Sequence, residues 1–154
     1  MSLKDKLKKL RDSSDKTVID WEKNKRDWID SVNKLYDSIQ EHWFIELEDE
    51  GLLKIQLTPI SITEEYIGSY SINKMEISFA TGDIVIEPVG RNIIGGEGRM
   101  DFYLKGELSK GLMLILFREE GEDQWFIVSK QNRRKKELLT KSTLEKVIDQ
   151  WIEE

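Results

Sequence analysis

The chain has 154 residues, no cysteine, one histidine and a formal net charge of −6, thirty acidic residues standing against twenty-four basic ones. That length is most simply one domain with a core large enough to need no staple. The missing cysteines exclude disulfides, thiolate metal sites and cysteine nucleophiles, and the acidic balance disfavours general affinity for nucleic acid.

Residues 1–43 read as a helical arm. Leu3, Leu7 and Leu10 keep 4-3 spacing, and Trp21, Trp28, Val32, Leu35 and Ile39 continue a stripe on one helical face. Asp12-Ser13-Ser14-Asp15 lies between the two halves, and all four residues compete for backbone hydrogen bonds. The expectation is a short first helix, a break near Ser13 and a long second helix to about Glu41, with one continuous helix as the alternative. The start, MSLKDKLKKL, is basic and amphipathic but lacks the apolar stretch of a secretory signal. No apolar run approaches the roughly 20 residues that span a bilayer. A cytoplasmic protein with no membrane partner is therefore expected.

Residues 44–130 have period two. Met75, Ile77 and Phe79 alternate with polar residues, as do Met100, Phe102 and Leu104, which predicts strands with one apolar face. Leu112 to Phe117 is apolar on both faces and reads as a central strand, with Trp125 to Val128 as its partner. Glycine-bearing turns separate the runs. Residues 131–154 read as a basic connection and a C-terminal helix. Ser142-Thr143-Leu144-Glu145 has the form of a capping box, and Leu144, Val147, Ile148, Trp151 and Ile152 form the stripe behind it. The fold class is α+β: an antiparallel meander of six or seven strands with N-terminal helices and a C-terminal helix.

Catalytic chemistry finds little support. His42, near the end of the long helix, is the one histidine, and a lone histidine there is more simply a favourable partner of the helix dipole. Zinc needs several such ligands. No phosphate loop, dinucleotide fingerprint or nucleophile elbow is present. No Glu is followed two residues later by Lys, so the strand-borne metal-and-lysine pairing of many nucleases is missing. No catalytic residue, metal or cofactor is assigned.

Three surfaces remain. Between two predicted strands runs GRNIIGGEGR, Gly90 to Arg99. In one reading Arg91, Arg99 and the amides of Gly95 and Gly96 cradle an anion. In the other the glycines serve the turn, and the arginines pair with neighbours such as Glu97 and Asp101. Arg133, Arg134, Lys135 and Lys136 could contact phosphates, but no exposed aromatic platform lies near them, and a solvated connection before the last helix is the better reading. The Leu3–Leu10 segment could lie on an anionic membrane or pair with a partner helix, but docking on its own domain or on a second copy is the simpler reading, and three leucines at 4-3 spacing are by themselves too brief for a coiled coil.

The run IEPVGRNIIGGEGRMDFYLKG, about an eighth of the chain, resembles a strand–Gly-loop–strand pattern of small uncharacterised bacterial proteins. The resemblance implies a bacterial setting and carries over no functional residue. Taken together, the sequence points to a non-enzymatic interaction or accessory module whose partner is another protein or a second copy. An anion-binding domain is the alternative, and nucleic-acid binding through Arg133–Lys136 a weaker one.

Overall fold

The computed structural model describes residues 2–65, 67–91, 97–132 and 134–153; for 11–21 and 153 it describes backbone alone. One helix, α1, runs Leu3–Ser38, followed by a π-helical turn at Ile39–Trp43 and a short α2 at Ile45–Asp49. The strands are β1 (Lys54–Glu64), β2 (Gly68–Phe79), β3 (Gly82–Gly90), β4 (Gly98–Leu104), β5 (Leu112–Glu119), β6 (Glu122–Ser129) and β7 (Lys136–Leu138). The helix α3, Lys141–Glu153, closes the chain. The strands form one antiparallel sheet in sequence order, the meander that the turns predict.

Three local expectations change. The break near Ser13 does not form. Ser and Asp are only about 0.5 kcal/mol poorer helix formers than Ala, and propagating a helix is easier than starting a second one. The cap of α3 lies two residues earlier than the Ser142–Glu145 box: Thr143 N–H donates to Thr140 Oγ1 (3.2 Å) and Thr140 N–H donates to Thr143 Oγ1 (2.7 Å). The two threonines make the same reciprocal arrangement with hydroxyls alone. Within the expected basic connection, Lys136–Leu138 adds a seventh strand, paired Phe126↔Leu138 and Val128↔Lys136.

Both terminal helices cover the same face of the sheet. Trp28, Val32, Leu35, Tyr36, Ile39 and Phe44 enter one core with Met75, Ile86, Met100 and Phe102, and Leu144 joins it from α3. The rings of Trp151 and Phe102 meet with centroids 4.7 Å apart. Burying a large apolar side chain contributes roughly 1.5–3 kcal/mol. Packing therefore fixes the second half of α1 far more strongly than helix propensity, which is worth tenths of a kcal/mol per residue. The opposite face keeps a smaller apolar patch of Met113, Ile115 and Val128, with Phe117 and Phe126 beside it. This explains why β5 reads as apolar on both sides.

The outer hairpin bends over the helix. Buried positions on β2 run Tyr70 and Ile72, then Met75 and Ile77, so the alternation slips by one. The β1–β2 pairing nevertheless stays in register from Lys54↔Ser78 to Glu64↔Gly68. The slip is a twist of the whole hairpin. Asn73 sits there, beyond the last β2–β3 rung at Met75↔Ile86. The Tyr36 hydroxyl donates to its carbonyl at 2.7 Å, in place of a ladder partner. Along the free edge of β1, Glu48 Oε2 accepts the Ile55 N–H at 2.9 Å. Pro59, four residues on, has no N–H to offer, so the edge is a poor template for another strand.

One cation pins the helix to the far hairpin. Arg118 on β5 donates through Nη2 to Ser31 Oγ (2.7 Å) and to the Asp27 carbonyl (2.9 Å), and its Nε pairs with Asp123 Oδ1 (2.9 Å). Asp27 thus meets Arg118 (3.6 Å), although in sequence it has the spacing of a helix pair with Lys23. Arg118→Lys should be nearly as damaging as Arg118→Met, because an ammonium cannot reproduce the fork that serves helix and hairpin together. Either should lower stability by about 2–3 kcal/mol, since Ser31 is buried and loses a charged donor. Urea unfolding measures this, and a loss under about 0.5 kcal/mol, the level of a surface change, would contradict it.

Candidate functional site

The Gly90–Arg99 stretch leaves β3 at a bulge between Pro88 and Gly90 and re-enters the sheet at Gly98. Its two outer glycines are explained by close approach. A Cβ on Gly98 would lie 2.3 Å from the Trp28 ring, and one on Gly90 would lie 2.7 Å from Glu64 Oε1. Gly98 is thus the seat of the buried Trp28 of α1. Gly90 leaves space for a carboxylate.

That carboxylate ties four elements together. Glu64, at the end of β1, accepts the Arg91 N–H on Oε1 (2.8 Å) and the Tyr70 hydroxyl on Oε2. Tyr70 in turn accepts the Trp28 Nε1–H at 3.1 Å. Burial, first, and the Glu64 contacts raise the Tyr70 hydroxyl well above the ordinary tyrosine range. Such a tyrosine is a fixed donor and no base at neutral pH. The Arg91 guanidinium pairs with Glu97 at 3.0 Å.

Arg99 lies elsewhere. Its neighbours Gly98 and Met100 face the helices, so its side chain stands on the opposite face. There it pairs with Asp101 at 2.9 Å, and Lys130 approaches the same oxygen at 3.9 Å. Its Nε has no partner among the described residues. Beside it Tyr103 donates to Glu87 Oε2 at 3.1 Å. Burial first, then the charges of Glu87 and Asp101 and the Glu87 bond, push the Tyr103 hydroxyl up to about 12. Arg91 and Arg99 are therefore held by separate carboxylates, Glu97 and Asp101. Gly95 and Gly96, the proposed amide donors, lie outside the described residues.

The basic run is also divided. Arg133 lies outside the described residues. The Arg134 N–H donates to Asn132 Oδ1 (3.2 Å) and the Lys135 N–H to the Asn132 carbonyl (3.1 Å), which makes a turn. Lys136 Nζ sits 4.9 Å from the centroids of both Phe117 and Phe126. This is a cation–π contact that caps the smaller apolar patch. His42 is exposed in the π-helical turn. Among the described residues no three His, Asp or Glu side chains converge as a metal centre would require. An apolar cleft of about 250 Å³ lies between α2 and α3 and is lined by Phe44, Leu47, Phe79 and Ile148 among others.

The arm stands apart from all of this. Every residue from Ser2 to Leu10 is exposed, and Leu3, Leu7 and Leu10 keep 72%, 56% and 65% of their surface in solvent. Its start is capped by Ser2, whose Oγ accepts the Asp5 N–H at 3.3 Å. Among the described residues no helix is long and apolar enough to cross a membrane. Comparisons of the chain with family models, with curated proteins and with solved structures found no match.

Two predictions follow from this geometry. Gly98→Ala should lower stability by about 2–3 kcal/mol, the upper range for an overpacked core. That is roughly 5–10 °C in Tm for a domain of this size. Near-UV circular dichroism of the tryptophans during heating measures it, and an unchanged Tm would remove Gly98 as the seat of Trp28. The second concerns alkaline pH. Tyr70 and Tyr103 hold their protons more tightly folded than unfolded. Their contribution is complete below the free tyrosine value of about 10 and is lost as pH rises past it. Unfolding free energy should therefore fall as pH rises from about 10 towards 12 by urea titration, and Tyr70→Phe should make that fall shallower. A slope that is the same in wild type and variant would contradict the placement of Tyr70.

Proposed function

We propose that this chain is a non-enzymatic protein-interaction module of a bacterial cytoplasm, and that it engages its partner through the N-terminal arm. The observation that carries the reading is the arm's exposed leucine stripe. Three leucines on one face of a capped helix are left in water while the same helix, further on, is buried. Scattered exposed apolar residues are ordinary, but a stripe at helical spacing is the pattern of helix-to-partner docking. The bacterial setting rests on the resemblance of the Ile86–Gly106 segment, and the cytoplasmic one on the chain's composition. The anion-binding alternative has less behind it, because both guanidiniums already face carboxylates.

Lysine-reactive cross-linking in cells tests the reading, since Lys4, Lys6, Lys8 and Lys9 surround the stripe. These lysines should link to another polypeptide chain in the wild type and lose that link in Leu7→Glu/Leu10→Glu. The variant should keep its stability within about 0.5 kcal/mol, because the replaced side chains touch no core. An identical pattern of links in both proteins, or arm lysines that link to nothing, would overturn the proposal.

A further inference from the structure

We infer that the arm's partner is the arm of a second copy, laid antiparallel, with Leu3, Leu7 and Leu10 of one chain across from Trp21, Thr17 and Ser14 of the other. The inference rests on the interaction reading above and names its occupant. Two observations support it.

The first is charge. Residues 2–11 carry Lys4, Lys6, Lys8, Lys9 and Arg11 against Asp5, a net of +4. Residues 12–22 carry Asp12, Asp15, Asp20 and Glu22 against Lys16, a net of −3. The arm is a helix with opposite charge on its two halves. Antiparallel alignment brings each basic half against an acidic half. Parallel alignment sets like on like, and like charges facing along a helix pair destabilise it.

The second is spacing. The 4-3 series of Leu3, Leu7 and Leu10 continues through Ser14, Thr17 and Trp21 on the same helix. The pairing is centred at residue 12 and overlaps residues 3–21, about 28 Å at 1.5 Å per residue. A pairing one heptad longer would drive the partner's N-terminus to Trp28, which is already buried under the sheet. A pairing one heptad shorter sets Leu7 across from Leu10, but it places the two basic halves together. Charge and the body of the domain thus select one register. An anionic membrane fits less well, because the acidic half directly after the basic one would be repelled from it.

The chain's lack of cysteine makes the test clean. Leu7→Cys and Thr17→Cys chains are purified separately, mixed and oxidised. In the inferred pairing two Leu7 positions are ten residues apart, about 15 Å, beyond the roughly 7 Å reach of a disulfide. Mixed Leu7–Thr17 dimers should form in excess over either self-linked dimer. A charge test leaves the leucines intact: Lys6→Glu/Lys8→Glu/Lys9→Glu should be monomeric alone and dimerise again with Asp12→Lys/Asp15→Lys/Asp20→Lys. Sedimentation equilibrium of the unmodified chain should show a monomer–dimer equilibrium.

Dominant self-linked Leu7→Cys dimers would mean parallel pairing and overturn the inference. So would a chain that stays monomeric at every concentration, or one that binds phosphatidylglycerol vesicles as a monomer. A monomer whose arm lysines still link to a different protein would overturn this inference alone. A monomer whose arm links to nothing would remove the interaction reading with it.

Discussion

The structure depends on the seat of Trp28 against Gly98. A Cβ at that position would enter the indole ring, so the helix can approach the sheet only where β4 begins with glycine. The same ring is tilted against Trp125, with centroids 5.9 Å apart, and donates its N–H to Tyr70. One side chain thereby fixes the height of α1 over the sheet, its link to β6 and the position of the twisted hairpin tip. Glu64 then joins that tip to the backbone of Arg91. A glycine-rich stretch that looks like a ligand cradle is, at its two ends, the place where helix and hairpin come close to the sheet.

From that seat the helix divides into two parts. Beyond Trp28 it is core, covered by the meander and flanked by α3. Before it, the arm carries its leucines into solvent. The sheet divides in the same way. Its helix-covered face is apolar, whereas its other face is a band of paired charges around Arg99, Asp101, Tyr103 and Glu87 beside a small apolar patch capped by Lys136. Beside that band of paired charges and the guarded edge of β1, the arm presents an exposed leucine stripe flanked by lysines.

The period-two runs made the sheet legible. Met75/Ile77 and Met100/Phe102 face the helices as the alternation requires, and turn chemistry gave the meander. The stripe from Trp28 to Ile39 was legible as a buried helical face. The contacts that decide the loop were not, because each joins residues far apart in sequence: Glu64 with Arg91, Tyr70 with Trp28, Arg118 with Ser31. Pairing of Arg91 with Glu97 and of Arg99 with Asp101 was available from proximity, but the face on which Arg99 stands needed the strand bounds. Lys136 on its two phenylalanines needed the seventh strand, whose three residues carry no periodic signal. The slip between Ile72 and Met75 was visible as a break in alternation, but only the pairing shows it to be a twist.

Native-state hydrogen exchange on dilute protein, with sub-denaturing urea added in steps, tests the division of α1 most directly. Amides from Val32 to Ile39 should open only with the sheet, sharing the free energy and urea dependence of β3 to β5, and those from Leu7 to Leu10 should exchange through smaller, local openings. If Val32 to Ile39 opens independently of the sheet, or Leu7 to Leu10 shares the global value in dilute solution, the account of a helix seated at Trp28 with a free arm before it is wrong.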